Sequence, residues 1–374
     1  MRIADGACVN AYAAAPLFAV CLAVTAACGG NSVSSGTSGP DPVATGTPLS
    51  PAPAPTPAPT PTPAPTPNPA TFVLRASLVD PSLVDFILAL GHLNPPSHTL
   101  PTDHIYFYVG YLRREIRGVP VVAPGDGTIM SVLPRDQGDS KITVRATSTF
   151  FYYIDHVVLD AGIGQGTRLT AGQRLGASNT GGFGVDLGVV NESRTLTGFV
   201  TPARYPSDTI HADAPLKYYE EPLRSQLYGM VRRDGGDRDG RIDYDVPGRL
   251  IGNWFLEGLP IAESPFASAW PKHLAFVFDS VRASEQRVSI GGTLPLVGSY
   301  AVNAGTPAFA DVTPSTGLVR YRLSIGASIE SPPTNVLGTM LVEMLDGSRI
   351  RVEVVPGAAT VTSGFSSAAQ VYTR

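Results

Sequence analysis

The sequence predicts a mainly β protein, in which an antiparallel β-sheet core is followed by a C-terminal β-sandwich or open barrel. Three observations favour this fold class. The chain is rich in glycine (39) and proline (35) and poor in charged residues (16%), which is typical of many turns and little helix. Short runs of β-branched and aromatic residues alternate with turn sequences. Helical periodicity is nearly absent from the first half of the folded part.

The length of 374 residues suffices for two domains once the ends are discounted. The formal net charge of −4 argues against nucleic acid as a partner. The composition predicts a signal peptide over 1–27, a proline-rich spacer over 28–70, a first β domain over 71–200, a connecting segment over 201–269 and a second β domain over 270–374.

The N-terminal region predicts export and a lipid anchor. Residues 11–27 form an apolar run that is too short and too rich in alanine for a membrane span, and Cys28 and Gly29 follow it. The run is typical of a secretory signal, and its end resembles the lipobox of bacterial lipoproteins. The resemblance implies a lipid on Cys28, attachment to a membrane through it, and a location in the bacterial cell envelope facing the periplasm or the exterior. An ordinary cleaved signal and a membrane anchor are the alternatives.

The spacer carries proline at every second position over residues 51–69. Such a sequence prefers extended polyproline II and reaches about 60 Å, so it would hold the folded part away from the membrane.

In the first β domain, an apolar patch over 78–93 predicts a helical turn or an edge strand. The later segments predict, in order, a strand at 105–112, a hairpin over 119–133, strands at 141–147 and 150–160, a tight hairpin within 164–179 and a strand at 184–191.

The second β domain is predicted from strands at 273–280, 286–292 and 317–325 and from a hairpin over 339–355. That hairpin turns at Asp346-Gly347, where alternating apolar residues flank a turn dipeptide. No catalytic constellation is found in this domain.

The connecting segment contains GDRDGRIDYD (236–245), which resembles a calcium loop through Asp237, Asp239 and Asp243. Gly235 and Val246 stand where two of the ligands would be, so a solvated acidic turn is the alternative.

Histidine and aspartate residues in two regions are candidates for chemistry. His98, Asp103 and His104 lie in a polar loop, whereas His156 and Asp186 lie within predicted strands. Imidazoles and carboxylates are ligands of zinc, so these residues could form a metal site. Each also has an ordinary explanation, as a loop residue with a local hydrogen bond or a strand histidine bonded to a neighbour.

The order and spacing of segments over 98–192 resemble the lysostaphin/LytM-type zinc metallopeptidases, which cut peptidoglycan cross-bridges. VVAPGDGTI is similar to the family's V-x-A-x-x-D-G-x-V segment. GTRLTAGQRLGASNTG is similar to its G-x-x-V-x-x-G-Q-x-I-G-x-x-G-x-T-G segment. The resemblance covers about a quarter of the chain and implies an antiparallel sheet with a zinc site.

The family's first motif, His-x-x-x-Asp, supplies two zinc ligands. Asp103 matches its aspartate, but Thr99 stands at the histidine position and His98 one residue before it. In a shifted alignment, His104 takes the aspartate position and Leu100 the histidine position.

The family's other site residues are a strand histidine and a His-x-His motif. The resemblance assigns His156 to the strand histidine. In His-x-His, Asp186 replaces the first histidine, which assists catalysis, and Gly188 replaces the second, which binds zinc. Glycine has no side chain to offer a metal.

The resemblance therefore implies a peptidase-like domain that has lost its activity, in a lipoprotein that binds cell-wall material or a protein partner. No cofactor is expected in this case. The alternative is an active zinc metallohydrolase, with His98, Asp103, His156 and Asp186 as rearranged metal ligands and His104 or His156 transferring protons. For a remnant site, we expect Asp186 to face the histidines and Gly188 to leave a gap.

Overall fold

The computed structural model describes residues 72–135, 138–182, 184–303, 305–325, 335–357 and 360–374. The expected signal peptide, Cys28 and the spacer lie outside the described residues. The described residues form one compact unit. Within the described part, no helix has both the length and the apolar character that crossing a membrane requires.

The first half folds as an antiparallel sheet. Its strands are β1 Val84–Leu88, β2 Ile105–Val109, β3 Pro120–Val122, β4 Gly127–Pro134, β5 Ser140–Arg145, β6 Phe150–Leu159, β7 Arg168–Leu169, β8 Arg174–Ser178, β9 Gly184–Asn191 and β10 Ala212–Asp213. They are arranged in the order β1-β2-β9-β6-β5-β4-β7, while β10 pairs with β9 and β8 joins β3 to β6. Strands β2, β9 and β6 therefore lie side by side.

The second half is a barrel of eight antiparallel strands. They are β11 Gly252–Leu256, β12 His273–Phe278, β13 Gln286–Ile290, β14 Gly298–Val302, β15 Val319–Ser324, β16 Val336–Met344, β17 Arg349–Pro356 and β18 Gln370–Thr373. The barrel is closed because β18 pairs with both β17 and β11. The mainly β fold class is confirmed, and the second domain is a closed barrel where we expected a sandwich or an open barrel.

Helical structure is limited to short turns. The α-helices are α1 Ser207–Ile210 and α2 Leu223–Gly229, and the 3₁₀ turns are Pro81–Leu83, Pro202–Arg204, Pro215–Tyr218, Ile261–Glu263, Ala267–Lys272 and Pro314–Thr316.

Two of the three predicted hairpins are wrong. Strand β3 pairs with β8 and not with β4, and β7 pairs with β4 and not with β8. The turn residues between these strands are present, but a turn does not determine the partner when a third strand can pair. The Gly-Asp-Gly turn is instead tied to the neighbouring loop, where Asp126 accepts a hydrogen bond from the Ala171 amide at 2.8 Å. The β16–β17 hairpin is confirmed.

The candidate site lies on the face of the sheet that points away from the core. On β9, Val185, Leu187 and Val189 are fully buried in the core of the sheet domain. Successive residues of a strand point to opposite faces, so Asp186 and Gly188 lie on the other face.

Candidate functional site

Strand register brings the candidate residues of three strands onto one face. Asp186 on β9 lies opposite Tyr106 on β2 and opposite Asp155 on β6. Gly188 lies opposite Tyr153 on β6. Residues directly opposite each other in an antiparallel pair share a face and are close enough to interact.

A β-bulge at His156 redirects this side chain towards β9. Between Ile154 and Val157, β6 has one residue more than its partner β5, and His156 has a left-handed backbone with φ of 66°. Left-handed φ is uncommon for residues other than glycine, and bulges often change the direction of a functional side chain. As a result, Nε2 of His156 lies 3.6 Å from Oδ2 of Asp186.

His104, the residue before β2, approaches the same carboxylate. Its Nε2 lies 3.6 Å from Oδ2 of Asp186 and 3.0 Å from the Tyr106 hydroxyl. Its Nδ1 lies 3.0 Å from Oδ1 of Asp103. Asp103 also accepts hydrogen bonds from Tyr153, at 2.6 Å, and from the Thr209 hydroxyl.

A second aspartate holds the other imidazole. Nδ1 of His156 lies 3.1 Å from Oδ2 of Asp139, and the Asn179 side-chain amide donates to the same oxygen at 2.7 Å. Two aspartate–histidine pairs therefore meet at Asp186 from opposite sides. Asp139 lay outside the sequence-based candidates, because nothing in its local sequence connects it to His156.

The carboxylate of Asp186 is buried, with 3% of the residue exposed, yet it makes no hydrogen bond with any described residue. Burial raises its pKa to about 6, while the neighbouring His104 and His156 act in the opposite direction. A buried polar group without hydrogen bonds is costly, so this arrangement points to a role other than stability.

The pKa values of both imidazoles are raised, because neighbouring carboxylates stabilise their charged forms. Burial opposes the charged form of His104, but the hydrogen bond to Asp103 and the charge of Asp186 outweigh it. Burial likewise opposes the charge on His156, and Asp186 and Asp155 outweigh that effect. Asp103 has a lowered pKa: burial acts to raise it, but the hydrogen bonds from His104, Thr209 and Tyr153 outweigh burial.

His98 lies beside this cluster and not within it. Its ring contacts that of His104 at 5.6 Å and that of Trp270 at 5.3 Å between centroids. Burial lowers its pKa to about 4. The adjacent Thr99, at the family's histidine position, is fully buried and donates a hydrogen bond to the Trp270 carbonyl at 3.2 Å. Trp270 belongs to the 3₁₀ turn Ala267–Lys272 between β11 and β12, and no local sequence pattern indicates this contact.

The expected gap at Gly188 is absent, so that expectation is wrong. A Cβ on Gly188 would lie 2.1 Å from Cζ of Tyr153, because the phenol ring occupies this space. The hydroxyl of the same ring donates to Asp103, and Nζ of Lys141 lies 3.8 Å from the ring centroid. This packing follows from the register of β6 and β9, which places Gly188 directly opposite Tyr153.

The residues present do not fit the zinc ion of the resembled family. Tyr153 fills the space of the histidine ligand at Gly188, and Asp103 is already engaged by three partners. Across the part of the chain that the structure describes, no group of three or more His, Cys, Asp or Glu side chains is arranged to hold a metal ion.

The three aspartates of the predicted calcium loop engage separate partners and do not share a common site. Asp237 lies 3.6 Å from Arg233, Asp243 lies 3.1 Å from Arg241, and Asp239 accepts a hydrogen bond from Tyr228 at 2.5 Å. This segment is therefore an acidic turn, which was the alternative to a calcium loop.

No family model and no curated protein matches the chain. Several solved structures are similar to it. Csd3 from Helicobacter pylori is 16% identical over 40% of this chain and 34% of its own, with a TM-score of 0.28. A zinc containing peptidase from Vibrio cholerae is 16% identical over 33% of this chain and 38% of its own, with a TM-score of 0.27. Lysostaphin is 13% identical over 82% of this chain and 92% of its own, with a TM-score of 0.27. The chain thus spans about a third of the length of the first two.

Proposed function

We propose that this protein is a non-hydrolytic lipoprotein of the bacterial cell envelope, whose peptidase-like sheet domain binds cell-wall material. One observation carries the loss of hydrolysis: the Tyr153 ring occupies the space above Gly188, where the resembled peptidases place a zinc ligand. Without that ligand, tight zinc binding is lost, and so is the metal-activated water that attacks the peptide bond.

The test combines metal analysis with two assays on purified peptidoglycan. The full-length protein, equilibrated with zinc and then dialysed, should retain no stoichiometric metal. It should sediment with peptidoglycan sacculi and release no peptide from them. Failure to sediment, combined with capture of an envelope protein, would replace cell-wall binding by a protein partner.

A metallohydrolase with rearranged ligands is a second candidate, and one observation favours it. Nε2 of His104 and Nε2 of His156 both lie 3.6 Å from the same oxygen of Asp186, and each Nδ1 is held by an aspartate. Carboxylates hold the distal nitrogen of metal-bound histidines in the same way. Stoichiometric zinc that disappears in His156→Ala and persists in the control His211→Ala would establish this candidate and overturn the first.

Membrane attachment through Cys28 is part of the proposal. Cys28→Ser should release the protein from the membrane fraction, because it removes the acceptor of the lipid. Cys21→Ser, within the same apolar run, is the matched control and should stay membrane-bound. If Cys28→Ser also stays bound, the apolar run itself is the anchor.

A further inference from the structure

We infer that an aromatic surface bordered by arginines binds a sugar ring that carries a carboxylate. The inference rests on the proposed cell-wall binding and names the class of ligand that the sheet domain recognises. This aromatic–arginine surface consists of Phe86, Tyr108, Tyr111, Arg114 and Arg232. The Tyr108 ring lies 6.2 Å from that of Tyr106, so the surface borders the residues around Asp186 but includes none of them.

Three aromatic rings of this surface contact one another. The rings of Phe86 and Tyr108, which lie directly opposite each other on β1 and β2, are stacked with their centroids 4.6 Å apart. The Tyr111 ring meets both of them edge-on, at 5.5 Å from Phe86 and 5.3 Å from Tyr108. Phe86 is buried, whereas both tyrosines are half-buried and remain partly accessible. Partly accessible aromatic rings offer an apolar surface on which the C–H bonds of a sugar ring can pack.

Two exposed guanidinium groups border these rings. Cζ of Arg232 lies 5.7 Å from the Phe86 ring centroid, and Cζ of Arg114 lies 5.3 Å from the Tyr111 ring centroid. The Arg232 side chain makes no hydrogen bond or ion pair within the part of the chain that the structure describes. A guanidinium that lies over an aromatic ring can still direct its in-plane N–H donors at a carboxylate, which it binds with two parallel hydrogen bonds.

The charges around this surface favour an anionic ligand, although the whole chain has a net charge of −4. Segment 110–118 carries three arginines and one glutamate. Of the nearby carboxylates, Asp85 is paired with Arg113 at 2.8 Å, and Asp234 is hydrogen-bonded to a backbone amide. Asp186 faces two imidazoles that stabilise its charged form.

A sugar ring that carries a carboxylate matches both features of the surface. Its C–H bonds pack on the tyrosine rings, and its carboxylate accepts charge-assisted hydrogen bonds from a guanidinium. The Tyr108 hydroxyl adds a donor for a sugar oxygen, because it forms no hydrogen bond within the described residues. Burial, with a smaller contribution from the charge of Asp186, raises the pKa of Tyr108 to about 12, so the phenol keeps its proton at neutral pH.

The experiment uses the full-length protein and two forms of one sugar. N-acetylmuramic acid carries a free carboxylate, and its methyl ester is identical except that the charge is removed. Titration calorimetry should give an affinity about fivefold higher for the free acid, which is the size of effect expected for an ion pair with exposed arginines. Equal affinities for the acid and the ester overturn the inference.

Two pairs of variants place the ligand on this surface. Arg232→Gln should lower the affinity for the acid towards that of the ester, whereas Arg322→Gln, at an exposed position on the barrel, is the matched control and should change neither. Tyr108→Leu should weaken the binding of acid and ester alike about threefold, because it removes the ring, and Tyr108→Phe should retain most of the affinity. Equal affinities within either pair overturn the inference.

Sedimentation with sacculi separates this inference from the proposed function. In peptidoglycan the peptide is attached to the sugar carboxylate through an amide bond, so the ligand arises where hydrolysis of that bond has removed the peptide. Sacculi treated with an amidase should therefore bind more protein than untreated sacculi, and Arg232→Gln should remove the difference. Equal binding to both kinds of sacculi overturns the inference and leaves cell-wall binding standing. If the protein prefers the acid to the ester but sediments with neither kind, the surface stands and the proposed function is wrong.

Discussion

In the barrel, the buried guanidinium of Arg374 donates hydrogen bonds to four carbonyl oxygens between residues 246 and 251 and lies 3.7 Å from the ring centroid of Trp254. On the face of the sheet that points away from the core, the buried carboxylate of Asp186 makes no hydrogen bond with any described residue. Both residues are at least nine-tenths buried. Backbone acceptors satisfy both terminal nitrogens of Arg374, although its Nε has no partner among the described residues, whereas neither oxygen of Asp186 has a hydrogen bond.

The difference separates a structural charge from a functional one. Buried charges that hold a fold together are paired, because an unpaired one costs several kcal/mol. The carboxylate without hydrogen bonds coincides with a left-handed histidine at position 156 and with a second buried oxygen without a hydrogen-bond partner, on Asp139. Strain and unsatisfied groups that gather in one place are typical of binding and catalytic sites.

The largest expected effect comes from Arg374→Met. The substitution retains much of the side-chain volume but leaves the carbonyl oxygens at the end of the barrel without their donor. We expect a loss of about 3 kcal/mol in the free energy of unfolding, measured by urea denaturation. Arg322→Met, at an exposed position on β15, is the control and should change stability by less than about 0.5 kcal/mol. Equal effects in the two variants would mean that Arg374 is not a structural charge.

Gly188→Ala comes next and tests the contact between Gly188 and the Tyr153 ring. Its Cβ would overlap an aromatic ring that is held by Asp103, so we expect a loss of about 2–3 kcal/mol. In a Tyr153→Ala background the same substitution should cost less than about 0.5 kcal/mol, because the ring is gone. Additive effects in this double-mutant cycle would contradict the contact between the two residues.

The sequence predicts the positions of strands better than it predicts which strands pair with each other. The strand at 184–191 is found with the bounds that alternation and turn residues predict. The partner of β3 could not be predicted, since β8 lies about 50 residues away and turn signals are local. Closure of the barrel depends on β18, a four-residue strand without a turn signal of its own.

For the site, alignment to the family motifs predicted that Asp186 faces the histidines. It could not predict the bulge that directs His156 towards Asp186, because one extra residue in a strand leaves no mark in a hydrophobic pattern. The same limit explains why the filling of the Gly188 position by Tyr153 was missed. Side-chain packing between strands depends on their pairing, and the pairing is a long-range property.

The barrel's buried histidine provides the third prediction. His273 is 3% exposed, its Nε2 lies 3.1 Å from the Ser264 carbonyl oxygen, and burial lowers its pKa to about 4. The unfolded chain therefore binds the proton more readily, so the stability that neutral His273 contributes is fully present above pH 6.5 and is lost as the pH falls towards 4. Between pH 7 and pH 4.5 we expect a loss of about 2 kcal/mol from this residue.

Denaturation of His273→Gln over the same pH range isolates this contribution. Glutamine can donate to the Ser264 carbonyl but does not titrate, so its stability should depend less steeply on pH. Parallel curves for the two proteins would mean that His273 does not remain neutral in the folded barrel.

Asp186→Asn should have the smallest effect on stability and a clear effect on the neighbouring histidines. The carboxylate makes no hydrogen bond that asparagine would lose, so the free energy of unfolding at pH 7 should change by less than about 1 kcal/mol. Because the charge of Asp186 helps to raise the pKa of His104 and of His156, both values should fall in the variant. Proton–nitrogen NMR titration of the imidazoles measures the two values directly. Asp160→Asn, whose carboxylate is exposed and paired with Arg174, is the control and should leave both values unchanged. A pKa that stays raised in Asp186→Asn would show that the aspartates behind each ring, Asp103 and Asp139, hold the proton without Asp186.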